Sequence, residues 1–424
     1  MLWVLITVFL LAMFLGMPIA FAMAVSAALT FIVTPDMNSI DVGIKMYSAM
    51  DSFSLMAIPF FMFAGELMND TGITEKIIKF ARSLVGSIRG GLGHATVITG
   101  VILAGVSGSA DADTAAISSL MVPALEKEGY DRGFSCALTA ACGNLGPIIP
   151  PSIMMVIYAG VTSISIAELF MAGVIPGLIM AVGFSVLVVM HAKKSNIEKD
   201  KFGGWRVVGK TFVQTIWALI MPVIIIGGIS SGAVTATEAG ALAVFYALVY
   251  GFISKTLNGR ILLGCIKNAA KNATGPMIII AFASLFGYVL TYNNLSRIIE
   301  TAVLSFTTSG TILYFIIFII IFIAGMFIDP TAILLMVVPI FLPMIKTFGL
   351  DPIHFAMVCL LSLCTGGMSP PVGMLLYITS SATGTDLSRV IRHCWGFLLV
   401  GVIVIFMVIF FPALVTFLPT AMYG

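Results

Sequence analysis

Gly146-Pro147-Ile148-Ile149-Pro150-Pro151-Ser152 and Gly366-Gly367-Met368-Ser369-Pro370-Pro371-Val372 break otherwise apolar sequence at matching places, with Pro150 and Pro370 standing 220 positions apart. Gly129-Tyr130-Asp131 and Gly349-Leu350-Asp351 keep the same interval, as do Ala104-Gly105 and Ala324-Gly325. Proline removes a backbone donor and disfavours helix in the residue before it, so each motif unwinds a helix locally. Backbone groups freed inside a bilayer are tolerated only when buried in protein or lining a cavity. A matched pair of broken helices, one per half, points to the binding site of a secondary transporter.

Composition supports a membrane setting. The chain is 60% hydrophobic and 9% charged, with a mean hydropathy of +1.13, far from the roughly 25% charged residues of a soluble domain. Apolar runs of about 20 residues, long enough to span a bilayer, recur throughout. The start, Met1-Leu2-Trp3-Val4, lacks a basic n-region and a small-residue cleavage site, so the first segment is expected to be a retained helix. The six cysteines lie mostly in apolar runs without a CxxC pair, and the four histidines are scattered singly. They suit packing better than a metal cluster or nucleophilic catalysis. No enzyme activity and no nucleic-acid partner are expected.

The expected fold is an all-α polytopic membrane protein of two inverted-topology repeats. The first spans 1–191, with a re-entrant hairpin at 91–123 and an interrupted helix at 132–160. A cytoplasmic linker at 192–210 leads to the second repeat, 211–424, with a hairpin at 309–345 and an interrupted helix at 353–383. The other helices are expected near 2–16, 17–33, 52–68 and 166–191, then near 212–230, 232–253, 274–291 and 394–418. Segment 2–33 also suits one long kinked helix. Basic amphipathic segments at 73–89 and 255–272 suit helices lying in the headgroup plane.

Five net crossings per half invert the second half. With the 192–210 linker inside, only Lys45, Arg297 and Lys346 of the 21 basic residues fall outside. That bias follows the positive-inside rule and puts both termini on the periplasmic side.

Gly105-Val106-Ser107-Gly108-Ser109-Ala110-Asp111-Ala112-Asp113-Thr114 interrupts the first hairpin, and Gly325-Met326-Phe327-Ile328-Asp329-Pro330-Thr331 the second. Acidic residues at membrane depth usually mark an ion or substrate path, although each aspartate also suits a helix cap. Asp113, Ser152, Asp329 and Ser369 are the expected substrate-binding residues. Sodium, a hard cation, suits oxygens at hairpin tips and unwound helices. Its expected positions are Ser107, Ser109, Asn144, Gly146, Gly325, Thr365 and Gly366. Glu238 stands in an apolar helix and fits either a functional role or pairing with a neighbour.

The motifs Gly143-Asn144-Leu145-Gly146-Pro147-Ile148-Ile149-Pro150-Pro151-Ser152 and Gly105 to Thr114, with the opening Gly16-Met17-Pro18-Ile19-Ala20-Phe21-Ala22, resemble the large membrane subunit of tripartite ATP-independent periplasmic (TRAP) transporters. Within that family the chain looks most like the sialic-acid type. The resemblance implies an elevator-type, sodium-driven importer of an acidic solute, sialic acid or a C4-dicarboxylate-like organic acid, in a bacterial inner membrane. It implies two partners, a small four-helix membrane subunit and a periplasmic substrate-binding protein, and no organic cofactor. The closest rival is a self-sufficient sodium/dicarboxylate symporter of related fold, ahead of an ion channel.

Overall fold

The computed structural model describes residues 2–34, 40–197, 199 and 202–424, all helical or irregular. Positions 198, 200 and 201 of the expected linker lie outside the described residues. The first helices are α1 (Leu2–Phe14), α2 (Ile19–Val33), α3 (Ile40–Met50), α4 (Ala57–Asp70) and α5 (Ile73–Val85). Then come α6 (Gly91–Ser107), α7 (Ala110–Lys127), α8 (Arg132–Gly143), α9 (Ile153–Thr162) and α10 (Ile166–Lys194). The second half holds α11 (Trp205–Ser230), α12 (Ala236–Ile253), α13 (Gly259–Tyr292), α14 (Leu295–Phe306) and α15 (Gly310–Gly325). It closes with α16 (Pro330–Thr347), α17 (Pro352–Gly367), α18 (Met374–Thr383), α19 (Leu387–Phe410) and α20 (Ala413–Tyr423).

The interval seen in the motifs extends to whole elements. Adding 220 to the bounds of α7 gives those of α16, and α8 and α9 fall on α17 and α18 to within a few residues. Local chemistry explains why these helices start where they do. Asp131 Oδ1 accepts from the amides of Gly133 and Phe134 at 2.7 and 3.1 Å. Asp351 Oδ1 accepts from the His354 amide at 2.7 Å. Each such cap is worth about 1 kcal/mol. Pro352 and Pro330 occupy first helical positions, where a missing amide costs nothing.

The described fold corrects several expectations. The segments 255–272 and 274–291 are one helix, α13, because no terminating cap or αL residue intervenes and Pro276 is accommodated inside it. Its 34 residues span roughly 50 Å at 1.5 Å per residue, well beyond a hydrocarbon core of about 30 Å. Arg260, Lys267 and Lys271 therefore ride on one end of a long helix and do not lie on a separate surface helix. The second amphipathic helix at the 220 interval from α5 is α14, which the sequence reading passed over. Helix α3 was also missed; it precedes a 58° bend into the helix expected at 52–68. Segment 2–33 keeps the expected two helices over the single kinked one, parted at Gly16, whose φ of +82° suits glycine, and at Pro18. The last expected helix, 394–418, is broken at Phe411 and Pro412 into α19 and α20.

Among the described residues, six helices are long and apolar enough to cross a bilayer. Large apolar side chains such as Phe14, Phe245 and Phe306 are exposed around the outside, as expected of a surface solvated by lipid. Packing sorts the helices into two groups. Helix α4 packs on both α12 and α13, with α2 and α3 on α13 and α11 on α12. Helices α6 to α8 and α15 to α19 form the other group, in which α8 and α17 are almost wholly buried. Helix α5 touches both α11 and α6, while α14 lies between α13 and α16. The chain-internal boundary between the two groups holds the main cavities.

Candidate functional site

Two short tips and two unwound segments converge at this boundary. The tip between α6 and α7 is Gly108-Ser109. Glycine is required at Gly108, where φ is +62° and a Cβ would lie 2.3 Å from the Pro151 carbonyl oxygen. Ser109 caps α7, its hydroxyl accepting from the Ala112 amide at 3.4 Å. That cap places Asp111 and Asp113 two residues apart in the first turn, about 200° apart around the helix axis. The two carboxylates consequently face different surroundings.

Asp113 points into the protein. It is 1% exposed. Its Oδ1 accepts from Ser107 Oγ at 2.5 Å, and the same hydroxyl accepts from the Ser109 amide at 3.1 Å. Asp113 Oδ2, Asn144 Oδ1 and Thr114 Oγ1 are buried and have no hydrogen-bond partner among the described residues. A Cβ at Gly146 would fall 3.0 Å from Asp113 Oδ2, and one at Gly143 would collide with Thr114 Oγ1. The unwound end of α8 thus lies directly against the α7 turn, with oxygens between them. Buried oxygens are costly when unpaired, and a small hard cation is a chemically fitting partner for this set. Ser107, Ser109, Asn144 and Gly146 are brought together here. Thr114, absent from the sequence-based set, joins them.

Asp111 faces the other way. A cavity of about 120 Å³ is lined by Gly108 to Asp111, Asn144 and Pro147 from the first half and by Asp329 to Thr331, Cys364 and Gly367 from the second. Met62 of α4 and Pro276 of α13 close its far wall. A larger cavity of about 600 Å³ shares Asp111, Asp329 and Thr331 and continues to Glu66, Asn69 and Asn272. Asp329 caps α16 through Oδ1, which accepts from the amides of Thr331 and Ala332 at 2.9 and 3.2 Å. It therefore serves as both cap and cavity wall.

The remaining expected substrate residues stand apart from these cavities. Asp113 lines neither cavity and belongs to the oxygen cluster. Ser152 donates to the Pro147 carbonyl at 2.6 Å and caps α9, while Ser369 is buried with its amide bonded to the Gly366 carbonyl at 2.8 Å. In the second half, Gly325 and Gly366 meet backbone to backbone, a Cβ on either falling 3.1 Å from the other's Cα. Thr365 donates to the Leu361 carbonyl at 2.8 Å and packs on Gly401. Glu238 completes a capping box with Thr235, whose amide it accepts at 2.7 Å, and so belongs to a helix start. Glu66 accepts from Asn272 at 2.9 Å on the wall of the larger cavity.

The family description "Tripartite ATP-independent periplasmic transporter, DctM component" matches residues 6–414, and the chain belongs to that family. It is 35% identical to the 2,3-diketo-L-gulonate TRAP transporter large permease protein YiaN of Escherichia coli, covering 95% of each chain. It is 33% identical to the sialic acid TRAP transporter large permease protein SiaM of Vibrio cholerae, covering 97% of each. It is 32% identical to the isethionate TRAP transporter permease protein DctMQ of Oleidesulfovibrio alaskensis, covering 96% of this chain and 65% of that one. Among solved structures, the Alcanivorax borkumensis YdaH transporter shares the fold, with a TM-score of 0.63 at 12% identity, covering 92% of this chain and 97% of that one. The expected family and the all-helical polytopic fold are thus met, and the chain is a multi-pass membrane protein.

Proposed function

We propose that this chain imports an organic acid across a bacterial inner membrane, driven by sodium, by an elevator movement. The observation that carries it is the meeting of both tips at one cavity. Asp111 and Asp329 arrive there from elements far apart in sequence, while Met62 and Pro276 of the other helix group form the opposite wall. A group of helices that carries its own site can slide along a wall it does not own, exposing the site to each side in turn.

The oxygens of Ser107, Ser109, Thr114 and Asn144, with the Asp113 carboxylate, would hold one sodium ion. Gly146 lets the backbone approach, and the ion supplies positive charge beside the solute cavity. Backbone oxygens near Gly325, Thr365 and Gly366 are the proposed second position. Polar groups of the tips then receive the acid. Relatives named for sialic acid and for 2,3-diketo-L-gulonate lie within two percentage points of identity, so the solute is assigned here only as an organic acid.

The proposed partners are a small four-helix membrane subunit and a periplasmic substrate-binding protein. The isethionate relative is longer than this chain, which covers 65% of it, and the remainder leaves room for such a subunit. The two halves are proposed to be inverted, with the 192–210 linker cytoplasmic and both termini periplasmic.

Uptake of a panel of radiolabelled organic acids into proteoliposomes tests this, using the chain with its small subunit under an imposed sodium gradient. Uptake should require both inward sodium and the binding protein. Sodium-driven uptake without the binding protein would favour a self-sufficient symporter, and uptake indifferent to sodium would refute coupling.

A further inference from the structure

The wall that α4 and α13 offer to the larger cavity is held in register by hydrogen bonds. Cys265 Sγ donates to Asp70 Oδ2 at 3.2 Å, and Asn272 Nδ2 donates to Glu66 Oε1 at 2.9 Å, so the two helices run antiparallel. Asn268 is a second hydrogen-bonding partner of the Glu66 side chain. Met62 and Pro276 line both cavities, whereas Glu66, Asn69 and Asn272 line only the larger one. The wall is therefore apolar beside the smaller cavity and polar beyond it. Asn69 Oδ1 accepts from Thr74 Oγ1 at 3.1 Å, which leaves its amide hydrogens for another partner. A carboxylate held by two amides likewise keeps lone pairs for further donors.

Charge on this lining is one-sided. Glu66, Asp111 and Asp329 bring three carboxyl groups to the larger cavity, and no lysine, arginine or histidine among the described residues lines either cavity. One solute carboxylate can be met by the polar groups of the tips and by the sodium ion proposed beside Asp113. A second carboxylate on the same solute would meet Asp111, Asp329 or Glu66 and no cationic side chain. Like charges brought together without a counter-charge discriminate against a ligand. Hydroxyl groups fare differently, because Glu66 accepts from them while the amides of Asn69 and Asn272 both donate and accept. The volume of about 600 Å³ falls within the range of about 300–1,000 Å³ usual for small-molecule sites, so the body of such a solute has room there.

We propose that the solute is a hydroxylated monocarboxylate of the sugar-acid type, and that Glu66 is a specificity-determining residue. Its carboxylate receives the solute's hydroxyl groups and turns away a second carboxylate, and Asn69 and Asn272 complete the same polar face. The inference rests on the organic-acid reading of this site and narrows it. Glu66 belongs to the wall and not to the tips, so the membrane chain itself discriminates among the acids that reach it.

Isothermal titration calorimetry of the full chain with its small subunit, in sodium and without the binding protein, tests it. The probes are gluconate, glucuronate and sialic acid, the dicarboxylates succinate and glucarate, and hexanoate, which lacks hydroxyls. The best hydroxylated monocarboxylate should bind about tenfold or more tighter than either dicarboxylate or hexanoate. Glu66→Gln removes the charge and keeps a group able to accept from Asn272. It should narrow the margin over glucarate by about fivefold or more, whereas Asp70→Asn, outside the cavity lining, should leave that margin unchanged. A purely structural Glu66 would weaken every acid alike and leave the margin intact. Should Glu66→Gln misfold, Asn69→Asp adds a carboxylate to the same face and should widen the margin. A dicarboxylate or hexanoate binding as tightly as the best hydroxylated acid would overturn the inference, as would a margin that neither variant moves. Binding of no acid at all would overturn the organic-acid reading itself, and this narrowing with it.

Discussion

Ser107 Oγ donates to Asp113 Oδ1 at 2.5 Å, joining the last residue of α6 to the first turn of α7 across the tip. The bond holds one carboxylate oxygen and turns the other, unpartnered, toward Gly146. A hairpin tip closed in this way presents a carboxyl oxygen to the unwound end of α8.

Ser107→Ala removes that bond, and Asn144→Ala removes a neighbouring buried oxygen. A hydrogen bond to a charged group is worth about 1.5–3 kcal/mol. Each variant should therefore raise the sodium concentration for half-maximal uptake by about tenfold or more while the protein remains folded. Sodium dependence unchanged in both would remove these residues from the cation position.

Glycine at the crossing of α15 and α17 is a packing requirement. A Cβ at Gly366 would lie 2.8 Å from the Phe322 carbonyl oxygen, whereas Gly264 of α13 has open space. Gly366→Ala should destabilise by about 1–3 kcal/mol through overpacking. Gly264→Ala should be neutral or stabilising by up to about 1 kcal/mol. Unfolding midpoints of the two purified variants give the comparison; equal midpoints would contradict the close crossing.

Arg389 of α19 donates to Asp131 Oδ2 at 2.6 Å and ties α19 to the start of α8. Burial raises the Asp131 carboxyl, but the Arg389 hydrogen bond, the Phe134 amide and the charges of His393 and Arg389 outweigh it and hold the carboxyl below its ordinary value. A depressed acid contributes stability that is complete above its unfolded value of about 3.9 and is lost as pH falls through the lower folded value. Arg389→Gln should thus lower the unfolding midpoint slightly at pH 7, since the pair is half-exposed, and the deficit should shrink toward about pH 3. A deficit that grows on acidification would reverse the assigned sign.

Sidedness is accessible to labelling because all six native cysteines are buried. Ser195→Cys, on an exposed turn after α10, should resist a membrane-impermeant maleimide in intact cells, and Tyr423→Cys should react. Reaction of both from the same side would defeat the inverted arrangement.

Movement of one helix group past the other predicts selective distance changes. Spin labels at Leu120 of α7 and Leu242 of α12, both outward-facing, should change separation between sodium-bound and sodium-free states. A pair within one group, Val223 of α11 and Leu242 of α12, should stay fixed. Constant separation for the first pair during active transport would exclude the elevator.

Much of this architecture was readable where local chemistry dictates it. Pro150, Pro151, Pro370 and Pro371 interrupt α8–α9 and α17–α18 because proline cannot continue a hydrogen-bond ladder, whatever surrounds it. The starts of α16 and α17 were legible in Asp329-Pro330 and Asp351-Pro352 for the same kind of reason. The unity of α13 was not, because a polar stretch at Asn272 to Thr274 looks like a boundary until Glu66 and the neighbouring helices supply its partners.

By itself the sequence determined the membrane setting, the repeated breaks and the acidic tips, since each depends on residues adjacent in the chain. Only the tertiary structure decided that Asp111 faces the cavity while Asp113 faces Ser107 and Gly146. It alone brought Met62, Met154, Pro276 and Met374 to the cavity and Thr114 to the buried oxygens beside Asp113. The cap at Ser109 sets the rotation of α7, and the packing of α6, α8 and α18 around it decides what each carboxylate meets. Those are contacts between residues tens to hundreds of positions apart, and no local rule of turn, cap or period contains them.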